Sequence, residues 1–140
     1  MLEAISAREI AVSGLKAQRT RMNVIANNIA NARTTRTDFG EGPFRRQMAI
    51  LRGEPLKPRI DPTKFGVHVR HIRPDPSPLR PVYEPGHPDA NEEGYVLYPN
   101  VDLAVEMANL VVAQRAYDAN TAVVMSDKRM AQKALEIIQS

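Results

Sequence analysis

The chain has 140 residues, a formal net charge of +3 and a sequence pI of about 9.4. It contains no cysteine, which excludes disulfides, thiol nucleophiles and cysteine-ligated metals, and its 5% aromatics without tryptophan argue against a thick aromatic core. No apolar run approaches the length of a membrane span, and residues 1–14 lack the basic start, apolar middle and cleavage site of a secretory signal. The expectation is a chain that stays in the cytoplasm or leaves by a route needing no cleaved signal.

Residues 1–31 read as a helix. Met1, Ile5, Val12, Leu15, Met22 and Ile29 keep a beat based on seven, interrupted by Arg8 and Arg19. Gly14 sits mid-helix, where it costs about 1 kcal/mol against Ala and often marks the close approach of another backbone. Asn23, Asn27 and Asn31 recur every four residues and share one helix face. Asn is a mediocre helix former whose amide requires partners, so this stripe predicts either a helix terminus, at Asn31 above all, or amides that fix register against another helix.

Residues 34–42, TTRTDFGEG, end the helix. All eleven prolines lie between Pro43 and Pro99, and six of the seven glycines between Gly40 and Gly94, so this third of the chain holds no long helix. Strands are predicted at 44–51, 66–72, 79–83 and 94–98, with an extended loop at 52–63, a turn at 74–78 and a tight loop at 84–91. A small, partly open β unit of poor independent stability is expected.

From Pro99 to Ser140 a second helix is predicted, capped by Asp102. Leu103, Leu110, Tyr117, Val124, Ala131 and Ile138 are spaced seven apart without a break. Met107 and Leu135 fall on a companion row with Gln114, Thr121 and Lys128. Such a beat argues for supercoiling against a partner helix, and the N-terminal helix is the nearest. The expected fold is mainly α with a small β-rich insert. Long N- and C-terminal helices (1–33 and 100–140) pair as a coiled-coil-like antiparallel hairpin, joined by a proline- and glycine-rich, partly open β unit (34–99). Off the main rows lie Ile10, Ala11, Ile25 and Ala30 on the first helix and Val111, Val112, Val123, Met125 and Ile137 on the second. Leaving such rows wet is unusual for a monomer, which implies packing against further copies or relatives.

Catalysis finds little support. His68 and His71 are three apart, so a regular strand points them to opposite sides and spoils a metal pair. His87 reads as a turn residue, and Asp89, Glu92 and Glu93 as solvated loop acids. No phosphate loop or nucleophile elbow occurs. No cofactor is expected. A small basic nucleic-acid-binding or adaptor module is the alternative reading, but the basic residues are dispersed among acids and no aromatic platform interleaves with them.

The segment SGLKAQRTRMNVIANNIANARTT (13–35) resembles the N-terminal signature of the bacterial flagellar axial proteins, the rod and hook group. VYEPGHPDANEEGYVLYPNVD (82–102) and AVEMANLVVAQRAYDAN (104–120) resemble, within that family, the short proteins of the proximal rod. The likeness is weak over 54–80. It implies a non-enzymatic structural subunit that joins the axial drive shaft transmitting torque. It also implies export without a cleaved signal and residence in the periplasmic rod of the basal body. Its implied partners are other copies, other rod proteins, and rotor-ring and export-gate components. Carried over by position, the interface would comprise Leu15, Met22, Asn27, Asn28, Ile29 and Asn31 on the first helix. On the second it would comprise Leu110, Tyr117 and Val124, to which the seven-residue spacing adds Leu103, Ala131 and Ile138. The arginines at 33, 36, 45 and 46 depart from the family pattern.

Overall fold

The computed structural model describes residues 7–38 and 42–139. The predicted helix start at Met1 and Ile5, and the tip of the exit loop, lie outside the described residues. Two helices and two β-hairpins follow in the order α1 (Ala7–Ala30), β1 (Gln47–Lys57), β2 (Asp61–Pro74), β3 (Arg80–Tyr83), β4 (Tyr95–Tyr98) and α2 (Leu103–Gln139). The sheets are two separate antiparallel ribbons, β1–β2 and β3–β4.

α1 and α2 pack against each other and run antiparallel. A Cβ added at Gly14 would stand 2.9 Å from the Asn120 amide, while Asn28 bonds Glu106. The two contacts lie fourteen residues apart on each helix, in opposite directions along α1 and α2. Small side chains explain the close approach, since Ala11, Ser13, Gly14 and Ala17 form the buried part of α1 nearest its N-terminus. The buried line continues through Val24, Ile25 and Asn28. In this register Val24, Ala17 and Ile10 stand opposite Leu110, Tyr117 and Val124. Leu15, Met22 and Ile29 flank that line and are half-buried. A seven-residue beat fits several parallel rows of a helix, and the row that admits the nearest approach is the one with the smallest side chains.

The β1–β2 ribbon lies along the other side of α1. Gln47 meets Asn28, the Val67 amide donates to Ser13 Oγ (3.0 Å), and Lys57 Nζ pairs with Glu9 (3.1 Å). Gly66 allows this contact, because a Cβ there would overlap the Leu56 side chain and stand 2.8 Å from Ser13 Oγ. The predicted loop at 52–63 is instead mostly strand, closed by the turn at residues 58–60. A two-stranded ribbon has a free outer edge on each strand, so Pro55 and Pro62 forfeit no ladder bond that a wider sheet would need. β3 and β4 fall where the alternation placed them, with Val96 buried and Tyr83 stacked edge-on against Tyr95 (centroids 5.3 Å apart). Asp102 caps α2 as expected, its Oδ1 accepting the amides of Ala104 (2.9 Å) and Val105 (3.2 Å).

At Gly14 a β-branched side chain has no room without separating the helices. Gly14→Val is expected to lower stability by about 1–3 kcal/mol, through overpacking. Urea unfolding followed by helical circular dichroism reads this as an earlier midpoint.

Candidate assembly interface

Where α2 begins, three parts of the fold meet on one carboxylate. The first turn of α2 places Glu106 against α1, fully buried. Asn28, also fully buried, donates from Nδ2 to Glu106 Oε2 (2.9 Å) and to the Gln47 carbonyl (2.8 Å). Its Oδ1 accepts the Gln47 amide (2.8 Å). One α1 side chain thus acts as a strand partner to the start of β1 and as a donor to α2. Arg46 completes the cluster, with Nε and Nη2 each 2.9 Å from Glu106 Oε1 and Nη1 3.0 Å from Asp75 Oδ2. Asn100 closes the rear. It accepts the Arg46 amide (2.9 Å) and donates to the carbonyls of Asp75 (3.3 Å) and Ser77 (3.1 Å).

The electrostatics follow from this geometry. Burial alone would lower the Arg46 pKa, but its bonds to Glu106 and Asp75 outweigh that and raise it. The hydroxyl and amide of Ser77, with a further contribution from Arg46, hold the Asp75 carboxyl below the usual carboxylate range. A buried ion pair of this kind adds little net stability over an apolar substitute. Removing one partner, however, strands the other charge at a cost of about 3–5 kcal/mol. The cluster therefore specifies how the ribbon and α2 sit on α1.

Of the two alternatives for the amide stripe, Asn31 follows the helix-terminus one. Asn23 and Asn27 are exposed, and Asn31 serves the helix end, its Nδ2 bonding the Asn27 carbonyl (3.0 Å) and its Oδ1 accepting from Thr34. Asn28, one position off the stripe, is the amide that joins the elements. Glu106 and Arg46 were missed as its partners. The available signal was a lone acid in the apolar start of α2, in seven-residue register with Ala113 and Asn120. His87 is a turn residue, its Nδ1 accepting the Asp89 amide (3.0 Å). The parity argument for His68 and His71 fails, because a bulge skips Arg70. His68 pairs with Arg52 and His71 with Ile50, which puts both imidazoles on one face. Even so, no cluster of three metal-ligating side chains occurs among the described residues.

The outer surface of α2 carries two clusters of exposed large apolar residues, at 103–112 and 123–138. Leu103, Val105, Met107, Val111, Val112, Val123, Met125, Met130, Leu135, Ile137 and Ile138 are all exposed, Ile138 to 80%. Of the sequence-predicted interface, Leu110, Tyr117 and Val124 are half-buried toward α1, while Leu103, Ala131 and Ile138 face outward. The helix register puts Asp127 opposite Ala7, so residues 128–139 run about 18 Å past the described part of α1, every one exposed.

Comparison with known proteins bears on what such a surface is for. A family model described as "Flagella basal body rod protein" matches residues 9–36, and one described as "Flagellar basal body rod FlgEFG protein C-terminal" matches residues 92–137. The flagellar basal-body rod protein FlgC of Borreliella burgdorferi is 41% identical over 96% of this chain and 97% of its own length. Its namesakes in Bacillus subtilis and Aquifex aeolicus are 40% and 35% identical, each over 97% of this chain and at least 98% of their own. The chain belongs to the FlgC family of flagellar basal-body rod proteins. It is a structural, non-enzymatic subunit of the flagellar basal body that assembles with other rod components. Nothing in these comparisons points toward nucleic acid. No described helix is long and apolar enough to cross a membrane.

Two predictions come from the polar cluster. Arg46→Met leaves Glu106 buried without its cation and is expected to cost about 3 kcal/mol, whereas Glu106→Gln, whose one amide oxygen still accepts from Arg46 while its NH2 loses the Asn28 bond, strands no buried carboxylate and is expected to cost less. Urea midpoints of the two variants check the order. The second concerns acid. Asp75 has a folded pKa below its unfolded value of about 3.9, so its contribution is full above that value and is lost as pH falls through the folded pKa. Asp61 and Asp89 are depressed in the same direction, chiefly by Thr63 and by Thr35 respectively. The urea midpoint is therefore expected to fall between about pH 5 and pH 3, and Asp75→Asn to fall less steeply over that interval.

Proposed function

We infer that the chain is a proximal-rod subunit whose α1–α2 pair acts as a coiled-coil-like unit of the axial core. Its outer apolar rows would pack against neighbouring subunits. The observation that carries this reading is the α2 surface: exposed Leu, Val, Met and Ile side chains clustered at 103–112 and 123–138, on a helix that outruns its only described helical partner. Burying one such side chain gains about 1.5–3 kcal/mol, so clusters of this size drive strong association once copies align. Rod subunits make head-to-tail contacts that do not close on themselves, as an elongated shaft requires. Close-packed helices laid along an axis resist twist and so transmit torque.

In this proposal Leu15, Met22 and Ile29 serve the flank of the α1–α2 pair. Leu103, Ala131 and Ile138 serve contacts between subunits, and Leu110, Tyr117 and Val124 hold the pair itself. Asn28 sets register through Glu106, with Asn27 and Asn31 ordering the end of α1. A periplasmic position, export without a cleaved signal, and rotor-ring and export-gate neighbours belong to the same proposal on the strength of the family.

Val124→Asp places a charge on the α1–α2 seam. It is expected to abolish rod assembly and swimming while the subunit is still exported, read by motility in soft agar and by immunoblotting of exported subunit. Normal swimming with that variant would remove the seam from the proposal.

A further inference from the structure

The chain has neither cysteine nor tryptophan, so its methionine thioethers are the side chains most readily oxidised. Three of the six methionines stand on the exposed surface of α2. Met107, Met125 and Met130 are 55%, 59% and 62% exposed. Met22 on α1 and Met48 on β1 are half-buried, and Met1 lies outside the described residues.

The three fall on the two sides of α2 that carry its exposed apolar residues. At 3.6 residues per turn, Met107 and Met125 are five turns apart and share a side with Leu103 and Val111. Met130 shares another side with Val112, Val123 and Ile137, whose spacings of seven and eleven residues are close to two and three turns. The side that meets α1 is centred on Glu106 and Ala113, both fully buried. Each methionine side lies about 110° round the helix from it, one on either flank. None of the three thioethers is therefore part of the α1–α2 contact or of the Glu106 cluster.

Oxygen transfer changes what these sides can do. The thioether sulfur attacks one oxygen of a hydroperoxide and the O–O bond breaks. That oxygen stays on sulfur, and the other leaves as hydroxide and takes up the proton to become water. Sulfur is oxidised by two electrons and the peroxide is reduced by two. The sulfoxide is polar and accepts hydrogen bonds, so water solvates it on a free subunit and its desolvation opposes burial in an apolar contact.

We propose that Met107, Met125 and Met130 form an oxidation site that is open in the unassembled subunit, and that their sulfoxides block the packing of α2 against neighbouring subunits without unfolding the chain. This rests on the reading that the outer apolar clusters of α2 pack within the rod. Packing shields the thioethers from peroxide, so the site exists only before assembly. The native fold tolerates the change because each of the three side chains is exposed.

The test uses the full-length chain and two triple variants. Hydrogen peroxide is added to the purified native chain, and peptide mass mapping follows oxygen gain at each methionine. Met107, Met125 and Met130 are expected to oxidise about fivefold faster than Met22 and Met48, or more. Met107→Gln/Met125→Gln/Met130→Gln reproduces the polarity of the sulfoxide. Met107→Leu/Met125→Leu/Met130→Leu keeps apolar side chains of similar volume that peroxide does not attack. Gln and Leu are both good helix formers, so helical circular dichroism and urea midpoints of the free variants should match the native chain. In cells lacking the native chain, the Leu triple is expected to build rods and swim. The Gln triple is expected to be exported yet to lower the yield of rods in isolated basal bodies about tenfold. If Met22 and Met48 oxidise as fast as the α2 methionines, or the Leu triple builds no rods, the proposal is overturned and the rod reading stands. Normal swimming by the Gln triple overturns the proposal and also removes these clusters from the rod reading.

Discussion

The Glu106 carboxylate, buried between the Asn28 amide and the Arg46 guanidinium, is the constraint on which the rest of the arrangement depends. A charge without water needs its partners in place, and here the partners come from three separate parts of the chain. Asn28 supplies α1, Arg46 supplies the lead-in to β1, and Glu106 supplies the first turns of α2. Asp75 and Asn100 extend the bonding to the end of β2 and to the approach to α2. Apolar packing between two helices tolerates sliding by a turn, because one Leu or Ala substitutes for another. A buried ion pair with a saturated amide does not, since every slipped arrangement leaves a charge or a donor unpaired.

That division of labour suits a subunit built for assembly. The polar cluster fixes the subunit's own geometry at one end, where the ribbon, α1 and α2 converge. Residues 128–139 run past the described part of α1 with every side chain exposed, and the exposed Leu, Val, Met and Ile of α2 continue up to Leu103. A monomer gains nothing from such a surface, whereas a chain that belongs to a rod family gains neighbours.

The β insert contributes stiffness by a similar economy. Two ribbons of two strands each have little core of their own, and the β1–β2 ribbon is stabilised by lying along α1 through Ser13, Gly66 and the Lys57–Glu9 pair. The prolines that disqualify this region from helix are harmless at its edges. Each removes one amide donor from the ribbon, which makes lateral pairing with other strands less favourable.

The sequence by itself determined the order of elements, the two helices, the Asp102 cap, the β3–β4 strands and the family. These rest on local signals: seven-residue periodicity, prolines confined to one third of the chain, and motifs in fixed order. It also singled out the run around Asn28. What only the tertiary structure decided was which side chains meet. The buried row of α1 follows the small residues Ala11, Gly14 and Ala17 rather than the larger Leu15, Met22 and Ile29, because the distance between helices is a property of both at once. The stretch 52–63 became strand because its partner lies beyond the turn, and the bulge at Arg70 reversed the parity of His68 and His71. Asn28 and Arg46 reach Glu106 from 78 and 60 residues away, a separation that no local pattern encodes.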